Sequence, residues 1–345
     1  MERSGHLKNQ RILVTGATGF LGSWTVERLL REGATVFATG RSRRYASELE
    51  TKGAQFLSVD LAETSSIPKL KEFCSGHLDA VVHSGALSSV WGKYEDFYSA
   101  NVLATRNLVE LASRLHSSPK FIHISSPSIY IQNRDRHDIR ESEPIPSEFI
   151  NHYAKTKFLS EIEIKVAQAK GIPALVLRPQ GLFGPRDTSV FPRILKVGRR
   201  GFFPHFDGRN HLVDVTYVEN VVEAIVCALK LPVDRFRGQA YNITNGEPIA
   251  QEVMVEKLLI ALDIPFRFKT IPFQRAWLAA TVLEKFHRVF MPMREPVLTR
   301  YAVNVLGFDR TLNIDLARQE LGYQPVVTMA DGFERTLQWF RESNT

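Results

Sequence analysis

The stretch Val14-Thr15-Gly16-Ala17-Thr18-Gly19-Phe20-Leu21-Gly22 spaces three glycines three residues apart near the start of the chain. An apolar run at Arg11–Thr15 precedes it and reads as a strand. The segment Leu21–Glu32 follows it and reads as a helix, with apolar residues at Trp24, Val26, Leu29 and Leu30. Between strand and helix each glycine has a physical task. One allows a tight turn, one lets the backbone approach a pyrophosphate, and one lets the helix pack closely on the strand. The helix N-terminus then offers unpaired N–H groups to an anion. The spacing is G-x-x-G-x-x-G rather than G-x-G-x-x-G, so it is a variant of the dinucleotide-binding turn. Gly16, Thr18, Gly19, Phe20, Leu21 and Gly22 are the expected phosphate-side residues. The competing reading is a plain glycine-rich turn.

Working outward, the second strand ends in Thr39-Gly40-Arg41-Ser42-Arg43-Arg44. A site selective for NAD places an acidic residue there, about 20 residues past the turn, to bind the ribose 2′-hydroxyl. None is present, whereas Arg41 with Arg43 or Arg44 offers charge-assisted bonds to a 2′-phosphate. NADP(H) is therefore the expected cofactor, with NAD(H) as the second choice; a solvated basic loop is the competing reading. Asp60, next to Leu61 after the third strand, is placed to bind the adenine amino group or to cap a helix. Ser84, Gly85 and Ala86, small residues after the fourth strand, leave room for the cofactor to pass.

The 345 residues carry a net charge of +7, with 44% hydrophobic and 23% charged residues, an ordinary globular composition. No run of about 18 apolar residues suggests a membrane span. The opening "MERSGHLKNQ" lacks an apolar signal core, so a cytoplasmic protein is expected. The basic residues are scattered, which argues against nucleic acid as a partner. Cys74 and Cys227 have no ligand spacing around them, and no metal site is expected.

Strands are expected at Arg11–Thr15, Thr35–Thr39, Gln55–Val59, Ala80–His83, Lys120–Ser125 and Ala174–Leu177. Helices are expected at Leu21–Glu32, Glu95–Leu115 and Tyr153–Lys170. The alternation predicts an α/β fold: a doubly wound Rossmann-type parallel sheet with a smaller, discontinuous C-terminal substrate-binding region. Residues 1–178 and 211–246 would form the dinucleotide-binding part, and 179–210 with 247–345 the substrate-binding part. Within the latter, Leu278, Val282, Phe286 and Val289 recur at helical spacing. A core-facing stripe is the first expectation for them, ahead of a substrate lid and of attachment to a membrane surface.

The fifth strand delivers Ser125 and Ser126 at its C-terminal end, where open α/β sheets bind ligands. "NHYAKTK" then opens a helix with Tyr153 and Lys157 one turn apart on a single face. An ammonium group beside a phenol favours phenolate and lowers its pKa, which makes a general acid/base.

"TGATGFLG", "HSGA", "ISSPSIY", "YAKTK", "RPQGLFGP" and the terminal "NIDLARQELGYQP" together resemble the extended short-chain dehydrogenase/reductase superfamily. The resemblance spans nearly the whole chain. It implies hydride transfer at the nicotinamide, with Tyr153 as proton donor to a carbonyl oxygen and Ser126 holding that oxygen. Lys157 would bond the nicotinamide ribose and tune Tyr153. Asn101, Ser125, Pro179, Gly181 and Leu182 complete the expected cofactor shell. The resemblance also implies a homodimer packed through helices near Glu95–Leu115 and Tyr153–Lys170.

Three departures narrow the branch. Pro127-Ser128 stand where the dehydratases carry Asp-Glu, Gly181 where many sugar-nucleotide enzymes carry Asn, and the second strand lacks the acidic residue of the epimerases. "LVDVTYVENVVEAI" resembles the 3β-hydroxysteroid dehydrogenase-like group, and "SSVWGKYEDFYSANV" resembles bacterial 2-alkyl-3-oxoalkanoate reductases. A hydrophobic 3-oxo/3-hydroxy substrate follows, expected against Ser88, Val90, Trp91, Ser128, Tyr130, Gln180, Phe183, Phe191 and Phe202. The alternatives are a nucleotide-sugar epimerase or dehydratase and a non-enzymatic NADP sensor.

Overall fold

The computed structural model describes residues 7–43 and 45–343. Seven strands form one parallel sheet: β1 (Arg11–Thr15), β2 (Thr35–Gly40), β3 (Gln55–Ser58), β4 (Ala80–His83), β5 (Lys120–Ile124), β6 (Ala174–Pro179) and β7 (Ala240–Ile243). Their order is β7-β6-β5-β4-β1-β2-β3. The chain runs outward from β1 to β3, then returns to β4 on the other side of β1 and runs outward again. That reversal opens a crevice beyond the carboxyl ends of β1 and β4, the place where such sheets bind ligands.

Helices α1 (Phe20–Arg31) and α4 (Val218–Lys230) cover one face, and α2 (Ala104–Arg114) and α3 (His152–Ala169) the other. Alternate strand residues point to opposite faces. Ile12 and Val14 therefore pack with Val26, Leu29 and Ile225, while Leu13 packs with Leu70, Leu108 and Ile164. Burial on both faces explains the nearly continuous apolar runs of the strands.

The helix expected over Glu95–Leu115 is divided. A short turn at Tyr94–Phe97 leads into a π-helical segment, Tyr98–Leu103, before α2 begins. Beyond β6, Leu182–Phe183 pairs with Thr216–Tyr217, and Phe203–Phe206 pairs with Phe268–Ile271. A four-stranded sheet joins Arg136–Ile139, Leu212–Val213, Ile249–Ala250 and Arg310–Leu312.

Helix α5 (Phe273–Phe290) reverses the expectation for its apolar stripe. Leu278, Val282, Phe286 and Val289 face outward, Leu278 at 66% and Val289 at 71% exposure. The inward face carries Phe273, Ala276, Ala280, Glu284 and His287. Its two polar members are satisfied there: Glu284 accepts from the backbone N–H and Nε of Arg300 at 2.7 and 2.9 Å, and His287 Nδ1 donates to the Arg294 carbonyl at 2.7 Å. Helical periodicity marks a stripe without saying which side is wet.

Candidate active site

The glycine turn meets the requirements of a diphosphate cradle. Gly16 has φ +64°, and a Cβ there would lie 2.7 Å from the Cα of Gly85, so the loops after β1 and β4 cross backbone to backbone. A Cβ on Gly22 would strike the Gly16 carbonyl group, 2.7 Å from its carbon. Gly19 is the extended N-cap of α1 and supplies no side-chain cap, and the first turn of α1 contains no acid. The helix therefore presents N–H groups and its positive end to the crevice without a competing carboxylate. Thr18 lies against Gly40, while Phe20 and Leu21 are half-buried, Leu21 against the core. Ser84 Oγ donates to the Thr15 carbonyl at 2.6 Å and Gly85 N–H donates to Thr15 Oγ1 at 3.2 Å, which fixes the second loop on the first; Ala86 is exposed at its edge.

At the end of β2, Arg41 and Arg43 are exposed. The Arg43 guanidinium lies 5.8 Å from the Phe56 ring centre and 3.7 Å from Glu50. Arg44 lies outside the described residues. Asp60 is exposed, and its Oδ1 accepts from Ala62 N–H at 3.0 Å. It closes a turn rather than capping a helix, because the next helix begins only at Ser66. Leu61 is buried in the core.

The Ser, Tyr and Lys side chains converge at the end of β5. Ser126 caps a short 3-10 helix, Pro127–Tyr130, by accepting from Ser128 N–H at 3.2 Å, and its hydroxyl neighbours that of Tyr153. Asn151 caps α3, its Oδ1 accepting from Ala154 N–H at 2.9 Å, which sets Tyr153 in the first turn. Lys157 follows one turn later, 2% exposed, and its Nζ donates to the Ile124 carbonyl at 2.6 Å.

The expected lowering of the phenol pKa is not what this arrangement produces. Burial pushes Tyr153 up to about 12; the Ser126 hydroxyl opposes this and the neighbouring Tyr301 adds to it. Lys157 directs its ammonium at a carbonyl, and burial pulls it down to about 8 against the opposing effect of Glu161.

Two histidines beneath the site lie outside the residues expected from sequence. His83 and His123 are register partners on β4 and β5, with ring centres 5.2 Å apart. His123 Nε2 lies 2.9 Å from Ser160 Oγ and 3.3 Å from Lys157 Nζ, while His83 Nδ1 lies 2.7 Å from Thr15 Oγ1. Burial, and after it the charge of Lys157, pushes His83 down to about 3 and His123 well below its ordinary value, so both stay neutral. Their only signal in the sequence is a histidine at matching offsets in adjacent strands.

Arg178, at the end of β6, grips Glu161 of α3 with two bonds of 2.9 and 2.6 Å, and also donates to the Tyr130 hydroxyl. This buried fork fixes the helix that carries Tyr153 and Lys157 against the sheet. Asn101, expected to touch cofactor, is 1% exposed. Its side chain accepts from Leu87 N–H at 2.7 Å and donates to Thr156 Oγ1 at 3.0 Å, clamping the loop after β4 to α3.

Other expected residues divide into interior and surface. Tyr130, Phe183 and Phe191 are fully enclosed and offer no surface to a substrate. The Tyr130 hydroxyl donates to Asn242 Oδ1 at 3.2 Å, and the two phenylalanines stack at 5.2 Å within an aromatic core containing Tyr217 and Phe333. Ser125 and Ser128 are buried beside the crevice with hydroxyls that lack partners among the described residues. Pro179 is buried at the end of β6; Gln180, Gly181 and Leu182 are half-buried, with Gly181 at φ +49° against Val215. Ser88 is exposed. Val90 and Trp91 line a cavity of about 260 Å³ with Tyr94, His152, Arg288 and Tyr301. Trp91 Nε1 donates to the Pro292 carbonyl at 3.0 Å, joining that wall to the end of α5. Phe202 lies apart from this cavity, half-buried, with the Lys269 ammonium 5.5 Å from its ring centre.

Comparison with known proteins agrees with this geometry. The model of the NAD dependent epimerase/dehydratase family matches residues 12–244. The protein named YbjS from Escherichia coli (strain K12) is 40% identical over 338 residues, covering 96% of this chain and 98% of that protein. A 2-alkyl-3-oxoalkanoate reductase from Shewanella oneidensis is 30% identical over 338 residues, covering 95% and 86%. The UDP-glucose 4-epimerase of Thermotoga maritima superposes with a TM-score of 0.76 at 20% identity, over 97% of this chain and 100% of that one, a likeness of fold alone. The chain belongs to the NAD dependent epimerase/dehydratase family, the extended branch of the short-chain dehydrogenases/reductases, and is an oxidoreductase of that family.

Proposed function

We propose that the protein is an NADP(H)-dependent ketoreductase that interconverts a hydrophobic 3-oxo compound and its 3-hydroxy counterpart, a 2-alkyl-3-oxoalkanoate or a 3-oxosteroid. The approach of the Ser126 and Tyr153 hydroxyls to one another, beside the glycine turn and one helical turn from Lys157, carries the reading. A bound nicotinamide supplies the hydride to the carbonyl carbon. Ser126 donates a hydrogen bond to the carbonyl oxygen, and Tyr153 gives that oxygen its proton. A phenol whose pKa lies near 12 is fully protonated at neutral pH, the state an acid needs. Lys157, one helical turn further on, directs its ammonium at the Ile124 carbonyl and so braces the end of β5 beneath the phenol.

Arg41 and Arg43 support the preference for a 2′-phosphate, since both are exposed cations beyond β2 with no acid at that strand end. Residues 1–178 and 211–246 hold the cofactor, and 179–210 with 247–345 form the substrate side. The relative that reduces 2-alkyl-3-oxoalkanoates by name, and the Trp91 and Val90 wall, support an apolar ligand. Ile162 and Val166, exposed on α3, support a homodimer built on that helix; a cytoplasmic location completes the proposal.

The test follows NADPH oxidation with 2-alkyl-3-oxo acids, 3-oxosteroids and UDP-glucose, with Tyr153→Phe as the companion variant. Turnover of the ketones and its loss by about 100-fold or more in Tyr153→Phe is expected. Conversion of UDP-glucose alone, or a nearly active Tyr153→Phe variant, would overturn the proposal.

A further inference from the structure

Seven large apolar side chains are exposed within 278–297: Leu278, Val282, Phe286, Val289, Phe290, Met293 and Val297. The first five lie on one stripe of α5, and Met293 and Val297 extend it past the helix end. Elsewhere among the described residues, apart from Ile162 and Val166 on α3, exposed apolar side chains of this size are scattered singly. The helix is 18 residues long, about 27 Å, and no helix among the described residues is long and apolar enough to cross a membrane.

The rim of the stripe is cationic. Arg275, Lys285, Arg288 and Arg294 are exposed around it. The exposed carboxylate of the same segment, Glu295, lies 3.9 Å from Arg193, and Glu284 is turned inward onto Arg300. Arg275, Lys285 and Arg294 have no ion-pair partner among the described residues. An isologous contact between two copies of this face would bring cationic rims together, which costs free energy.

We propose that α5 and the segment after it form a docking surface for an anionic lipid bilayer, the helix lying in the plane of the interface with its apolar stripe among the acyl chains. Apolar burial and attraction of the rim to anionic headgroups act together in such helices. The inner side of the same segment, through Arg288 and Pro292, walls the cavity that also holds Trp91 and His152. Docking therefore places the cavity beside the lipid, where a long-chain ketone resides. The docking itself needs none of the proposed chemistry.

Flotation of the full-length protein with vesicles of phosphatidylglycerol and phosphatidylcholine tests this. The protein is expected to float with the mixed vesicles and to stay largely in solution with phosphatidylcholine alone. The double variant Val282→Asp/Val289→Asp is expected to lose vesicle partitioning by about tenfold or more. Arg275→Glu/Lys285→Glu is expected to lose the preference for anionic vesicles. Thermal melts by circular dichroism and light scattering accompany each variant, so that a folding defect or a change of oligomer is seen separately. Absence of flotation by the wild-type protein, or equal flotation of wild type and the double Asp variant, would overturn the proposal. So would conversion of a dimer to a monomer by Val282→Asp/Val289→Asp without any vesicle binding.

Discussion

Gly22→Ala separates a phosphate cradle from an ordinary turn. The added methyl would sit 2.7 Å from the carbonyl carbon of Gly16 and 2.9 Å from Ala17 Cα. Carbon atoms settle at about 3.5–4.0 Å, so the start of α1 must retreat by about 1 Å. Every atom met belongs to the backbone, and no side chain can rotate away. Overpacking of this kind costs about 1–3 kcal/mol. At about 2.1 cal/mol/K per residue, unfolding of 345 residues carries about 0.7 kcal/mol/K, so the melting temperature falls by only about 1.5–4 °C. In the proposed cradle the effect on cofactor is larger, because the N–H groups at the start of α1 move with the helix. A tenfold to hundredfold weaker Kd for NADPH is expected by titration calorimetry, roughly 1.4–2.8 kcal/mol. Gly171→Ala serves as control: Gly171 has φ +79° with nothing within 4 Å of its missing Cβ, and precedes β6 at the amino ends of the strands, away from the glycine turn at their carboxyl ends. It should lower stability and leave the NADPH Kd unchanged. An unchanged NADPH Kd in folded Gly22→Ala would refute the cradle.

Arg41→Ala with Arg43→Ala should raise KM for NADPH by about tenfold or more and leave KM for NADH nearly unchanged; equal losses with both cofactors would remove the 2′-phosphate role. Lys157, with its folded pKa near 8 against an ordinary 10.5, binds fewer protons folded than unfolded between those values. Stability from this group therefore rises as pH increases from about 8 toward 10, and denaturant titrations at the two pH values should show that gain missing from Lys157→Met. Glu161→Ala strips Arg178 of its buried partner; a loss of about 3–5 kcal/mol in chemical denaturation is expected, and a loss under 1 kcal/mol would deny the fork its role.

The sheet and the glycine turn were legible because they rest on local rules. Alternating apolar runs, a left-handed glycine and the helix that follows depend on residues close in sequence. Tyr153 and Lys157 were legible for the same reason, one turn apart on a helix with its own cap. What the sequence left hidden depends on distant partners. Lys157 meets Ile124 and His123 from a strand more than 30 residues earlier, so its own turn could not reveal that its ammonium is spent on a carbonyl. Tyr130, Phe183 and Phe191 look like pocket residues because aromatic side chains line pockets and cores alike. Asn101 was placed near cofactor, yet the π-helical segment that aims it at Leu87 and Thr156 has no simple residue signature. The stripe on α5 was visible, but periodicity is indifferent to the medium it faces.

The cap at Asn151 carries a consequence for how such an enzyme diversifies. The position of Tyr153 is anchored by a bond to Ala154 inside the helix and by the Arg178 fork behind it, not by the irregular segment that precedes the cap. Ile150, immediately ahead of that anchor, instead lines the cavity with Trp91 and Tyr301. Changes in the approach to α3 can therefore reshape that cavity while Tyr153 stays where it is, so the wall of the pocket and the placement of the phenol can vary separately.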